Sequence, residues 1–147
     1  MYPKILVPLD GSEVAESALK EVERLVKGGM VREITLLSVV AISTLAASEG
    51  LDLPVYRKSG YEMYEKYLEE VRSRIASEGI VVNTVIREGD AASIINEHVR
   101  NKGIDLIVIA THGYSGMKKL MFGSVALRVM HDSDVPVLLI RPKPVKE

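Results

Sequence analysis

The chain has 147 residues, 47% apolar and 27% charged, a profile that suits one folded domain and excludes a disordered segment. Its 19 basic and 20 acidic residues leave a net charge of -1, so no bulk field favours nucleic acid or a membrane surface. The absence of cysteine excludes disulfides, a thiol nucleophile and cysteine-held metal. The opening MYPKILVPLD has no signal-peptide pattern and no apolar run approaches membrane-spanning length, so the cytoplasm is the expected location.

In chain order, Lys4 to Leu9 (KILVPL) reads as a buried first strand ending in the turn Asp10-Gly11-Ser12. Ser12 suits a helix N-cap, with Glu13 and Glu16 in the first turn, where the helix dipole favours acids. Ala15, Ala18, Leu19, Val22, Leu25 and Val26 then recur at helical spacing until Gly28-Gly29. Glu33 to Ala41 is a second buried strand, and the stretch from Ile42 to Lys58 reads as one long loop. Tyr61, Tyr64, Leu68, Val71 and Ile75 form the apolar stripe of a helix of about five turns that Gly79 stops. Ile80 to Arg87 is a third strand. Gly89-Asp90 then caps a helix with apolar positions Ala91, Ile94, Ile95 and Val99, closed by Gly103. His98 lies beside that stripe and reads as a structural histidine.

The last third has the pattern of buried strand, glycine-bearing loop, helix and buried strand. Leu106 to Ala110 stops at Thr111-His112-Gly113, and nine residues separate Gly113 from Gly123-Ser124. A helical pattern follows, then Val137 to Ile140 between Pro136 and Pro142. Alternating strands and helices with continuously apolar strands predict a parallel sheet buried on both faces.

Asp10, just past strand one, and Gly113, just past strand four, would meet at the crevice of such a sheet. Asp10 can accept from a ribose hydroxyl or only stabilise its turn, and spacing does not choose between them. Gly113, Gly123, Ser124 and the N–H of Val125 suit an anion at a helix start, with Lys118 and Lys119 as added charge, or they form a plain turn with a serine cap. His112 can contact phosphate or simply occupy the loop. No P-loop, dinucleotide fingerprint, complete nucleophile elbow or metal-spaced histidine set is present, and no catalytic constellation stands out.

At these residues the chain resembles the universal stress protein family, over nearly its whole length. KILVPLDGSE resembles that family's first strand and turn, and REGDAASIINEHVRNKGIDLIVIATHG its third helix and fourth strand. The specific block is ATHGYSGMKKLMFGSVALRVMHDSDVPVLLIRP, close to glycine, two residues, glycine, nine residues, glycine, then Ser or Thr. The resemblance implies an adenine-nucleotide alpha-hydrolase-like α/β fold, doubly wound, with five parallel strands in the order 3-2-1-4-5 and helices on both faces.

It also implies a site for ATP or AMP, often with Mg²⁺ or Mn²⁺. Pro8, Leu9, Asp10 and Val39 would stand on the base and ribose side, with Ala110, His112, Gly113, Gly123, Ser124 and Val125 on the phosphate side. Ala110 departs from the pattern, adding a methyl where the first glycine usually stands. A homodimer through Val137 to Ile140 is implied as well. The expected role is that of a regulatory, stress-related binding protein rather than a fast enzyme. A slow ATP hydrolase and a nucleotide-free dimeric module remain as the alternatives.

Overall fold

A computed structural model describes residues 1–41, 50, 52–111 and 123–142. In chain order these form β1 (Lys4–Pro8), α1 (Glu13–Glu16), α2 (Ala18–Lys27), β2 (Glu33–Val40) and α3 (Leu53–Ile75). They continue with β3 (Val81–Glu88), α4 (Ala91–Lys102), β4 (Leu106–Ala110), α5 (Ser124–Asp132) and β5 (Val137–Ile140). All pairings are parallel and the strand order is β3-β2-β1-β4-β5, as predicted.

Alternation along the strands divides the core in two. Ile5 and Val7 of β1, Ile34 and Leu36 of β2, and Leu106 and Val108 of β4 face α2 and α3, packing with Ala18, Leu19, Val22, Leu68 and Val71. The intervening residues Leu6, Leu37, Ile107 and Ile109 face α4 and α5, packing with Ala92, Ile94, Ile95, Val99, Ala126 and Val129. Side chains two apart share a face, so a strand covered on both sides must be apolar throughout. Full burial of one such Leu or Ile contributes about 1.5–3 kcal/mol.

Two-sided burial holds for the three inner strands and fails at the edges. All four residues of β5 are only half-buried, and β3 exposes Val81, Asn83 and Thr84. An edge strand lacks a neighbour on one side, and the apolar run in β5 does not announce this.

The helix boundaries differ from expectation in four places. Residues 53–58, predicted as loop, already belong to α3, because Asp52 caps the Val55 N–H at 3.3 Å and Pro54 suits a first helical turn. This helix ends at Ile75, with Ala76 extended, ahead of the positive-φ turn at Gly79. Along it Leu68 and Val71 are buried, Tyr64 and Ile75 half-buried, and Tyr61 exposed, so the buried stripe is narrower than predicted.

The first helix is interrupted at Ser17, whose hydroxyl donates to the Val14 carbonyl at 2.6 Å while its N–H is shared between Glu13 and Val14. At α5 the N-cap is Gly123, so the serine-cap alternative does not hold: Ser124 is the first helical residue. Ser12, Asp90 and Gly103 act as predicted, with Gly103 in the left-handed conformation at φ 64° and its N–H donating to Val99.

Candidate functional site

The strand order reverses between β1 and β4. The helices following β1 pack on one face, and α4 and α5 on the other. The chain therefore parts at the C-terminal ends of these two strands and leaves a crevice. An open cleft sits there, and the described residues around it enclose about 120 Å³. Its lining brings together Pro8 at the end of β1, Leu9 and Asp10 just past it, Val39 of β2, Ala110 of β4 and Val125 of α5. Six of the predicted site residues thus meet in one place.

Gly123 and Ser124 stand at the start of α5, directly before Val125. His112 and Gly113 lie outside the described residues, as do Lys118 and Lys119.

Asp10 stabilises its turn and also stands at the cleft. Its Oδ1 accepts from the Ser12 N–H at 2.9 Å, stabilising the turn, and the exposed side chain also borders the cleft. Leu9 is fixed beneath it. Its N–H donates to the Leu37 carbonyl at 2.9 Å, its carbonyl accepts from the buried Ser38 hydroxyl at 2.7 Å, and its side chain lies in the α2–α3 core. Tyr64 of α3 feels this corner: burial raises its phenol pKa, and the charge of Asp10 raises it further.

Three helices present their first residues to the cleft: α1 through Val14 and Ala15, α4 through Ala91, and α5 through Val125 and Ala126. Each helix start has N–H groups without intrahelical partners. In α1 the Ser12 hydroxyl accepts from Ala15 at 3.1 Å. In α4 Asp90 accepts from the Ser93 N–H at 3.1 Å and the Ser93 hydroxyl at 2.7 Å. At α5 the cap is Gly123, which supplies no side chain, so among the described residues no side-chain cap bond is made. The uncapped start is the one that follows β4, and its dipole favours an anion.

Among the described residues, no group of three or more His, Asp or Glu side chains is placed to hold a metal ion. Among those residues, no helix is long and apolar enough to cross a membrane.

Sequence reasoning missed several lining residues, among them Ser12, Ala15, Leu37, Ala91, Ile95 and Ala126. In the sequence they read as caps and core positions. The available signal is small size: Ala91 and Ala126 sit in first helical turns, where a larger side chain would fill the crevice.

Fold and cleft together define a doubly wound α/β protein with a crevice at its topological switch point. Within that class, the chain belongs to the universal stress protein family, whose profile, described as "Universal stress protein family", matches residues 1–141. Universal stress protein YxiE of Bacillus subtilis is 32% identical over 149 residues, covering 96% of this chain and 100% of that protein. The solved structure of MJ0577, a universal stress protein of Methanocaldococcus jannaschii, superposes with a TM-score of 0.84 at 30% identity, covering 99% of both chains. A more distant universal stress family protein from Arabidopsis thaliana, solved with AMP bound, shares the fold with a TM-score of 0.61 at 20% identity, covering 96% of this chain and 92% of that one.

Proposed function

We propose that this protein binds an adenine nucleotide, ATP or AMP, in the β1–β4 cleft and acts as a ligand-dependent regulatory protein. The observation that carries this reading is the convergence of Asp10, Val39, Ala110 and Val125 on one crevice beside the uncapped start of α5. Apolar walls from Val39, Leu37 and Ile95 suit a base, the Asp10 carboxylate suits a ribose hydroxyl, and the α5 N–H groups suit phosphate. The AMP bound to a protein of the same fold supports the choice of adenine nucleotide.

The enclosed 120 Å³ is small beside the roughly 300–1,000 Å³ of ligand pockets in general. The nucleotide therefore extends out of the cleft, with its phosphates over α5. A divalent cation accompanying ATP would take most of its ligands from phosphate oxygens and water, because the described side chains do not surround one.

Gly113, Gly123 and Ser124 complete the phosphate side in this reading, and Ala110 narrows it by a methyl group. The half-exposed edge strand β5 pairs two copies, which would cover an edge otherwise open to indiscriminate pairing.

Fresh protein is denatured and any released nucleotide identified by mass spectrometry, and the refolded or nucleotide-stripped protein is titrated with ATP and AMP. Bound or titratable nucleotide, weakened in Asp10→Ala and Gly123→Val, supports the reading. No released nucleotide and no binding heat at millimolar ligand with Mg²⁺ would overturn it.

A further inference from the structure

The two helices that form the α4–α5 side of the cleft are joined at its rim by one ion pair. The Arg128 guanidinium meets the Asp90 carboxylate with both prongs: Nη1 donates to Oδ1 and Nη2 to Oδ2, each at 2.8 Å. Asp90 is also the cap of α4, so the same carboxylate takes four hydrogen bonds, two from Arg128 and two from Ser93. Arg128 foremost, and Ser93 next, hold the Asp90 carboxyl well below the usual carboxylate range.

Neither residue lines the cleft, yet each has neighbours that do. Ala91 follows Asp90, while Val125 and Ala126 precede Arg128 in the first turn of α5. α5 has only nine residues and buries just Ala126 and Val129, a narrow hold on the sheet. Ala126 and Val129, with the half-buried Val125, are few anchors for a helix, and a two-pronged bond to a second helix adds a directional constraint on its position.

We propose that Asp90 and Arg128 are positioning residues that set the spacing between the α4 and α5 walls. They thereby determine how firmly the phosphate end of the ligand is held. This rests on the nucleotide reading above and adds to it a pair that touches neither base, sugar nor phosphate. Because both side chains are about half exposed, the pair contributes little to global stability. Its effect appears in the geometry of the site.

The test is calorimetric titration of the full chain with adenosine and with AMP, for the parent, Asp90→Asn, Arg128→Gln and the double variant. Asparagine still caps α4 but cannot make the charged fork, so Asp90→Asn keeps the helix start while releasing Arg128. Each single variant is expected to weaken AMP about two- to fivefold, with adenosine unchanged and the double variant no weaker than either single one.

If Asp90→Asn binds AMP as well as the parent or more tightly while Arg128→Gln loses affinity, Arg128 is itself a phosphate ligand and the positioning role is overturned. Equal losses for adenosine and AMP, or no loss for either, overturn it too, leaving the nucleotide reading standing. A parent protein that binds neither ligand overturns both.

Discussion

On one face of the sheet, the 23-residue α3 lies along β2 and β3, and on the other α4 and α5 have 12 and 9 residues. The α3 face holds fully buried Leu68 and Val71 and a polar knot in which Glu16 of α1 accepts from the Tyr67 hydroxyl at 2.8 Å and from Arg74 at 2.6 Å. The α4–α5 face holds the floor of the cleft and ends in helix starts that open onto it. Extensive apolar packing needs length, whereas a ligand site needs short elements whose ends converge. The α3 face offers the longer apolar packing and the α4–α5 face most of the cleft's helix starts, so in the proposed reading the first weighs more on stability and the second on ligand affinity, a division that mutations can test.

The largest effect is expected from Leu68→Ala, which removes a fully buried side chain beneath α3. Chemical denaturation should show a loss of about 2–5 kcal/mol. Below the transition, nucleotide affinity should be unchanged, and a change there would break the division. Gly60→Leu comes next. A Cβ at Gly60 would stand 3.0 Å from Val40 Cγ1, where α3 crosses the end of β2, and overpacking there should cost about 1–3 kcal/mol by the same measurement.

Tyr67→Phe removes the hydroxyl that donates to Glu16, and Arg74 still pairs with that carboxylate. A loss of about 1 kcal/mol is expected, together with faster hydrogen exchange in α1. The mutation also tests the phenol's titration. Burial, then the bond to Glu16, raises the Tyr67 pKa above 10.0, so the folded state keeps its proton after the unfolded chain has lost it. Stability from this group is present below pH 10.0 and lost as the solution becomes more alkaline, and Tyr67→Phe should remove that loss.

On the other face, burial lowers the His98 pKa from 6.5, helped by Lys102 and Arg87 and opposed by Glu97. The unfolded chain therefore takes up the proton first. Stability from His98 is present above pH 6.5 and lost as pH falls below it, and melting curves at pH 7.5 and 5 should converge in His98→Gln. The smallest effect is expected from Arg72→Ala, which breaks an exposed one-turn pair with Glu69 and should leave the melting temperature unchanged.

Local chemistry was legible where a residue acts on its near neighbours. Ser12, Asp90 and Gly103 terminate helices through bonds spanning three or four residues, so composition and spacing found them. The continuous apolar runs of β1, β2 and β4 announced two-sided burial, and with it the doubly wound sheet. Asp10 was legible as a crevice residue because parallel strands bring their C-terminal ends to one side of the sheet, whereas Ala110 was named only through the family resemblance.

Other features arise only when distant segments meet. The knot joins Glu16 to Tyr67 and Arg74 across 51 and 58 residues, and the clamp joins Asp90 to Arg128 across 38. Half-exposure of β5 depends on its place at the edge, and exposure of Tyr61 on which face of α3 the packed sheet covers. By itself the sequence determined the alternation of strands and helices, several of the caps and the parallel sheet they build, because hydrogen-bond closure and side-chain periodicity act over a few residues. Only the tertiary structure decided which helix start stayed uncapped beside the cleft and which ion pair fixes its walls. Those outcomes depend on which surfaces the packed sheet brings within bonding distance.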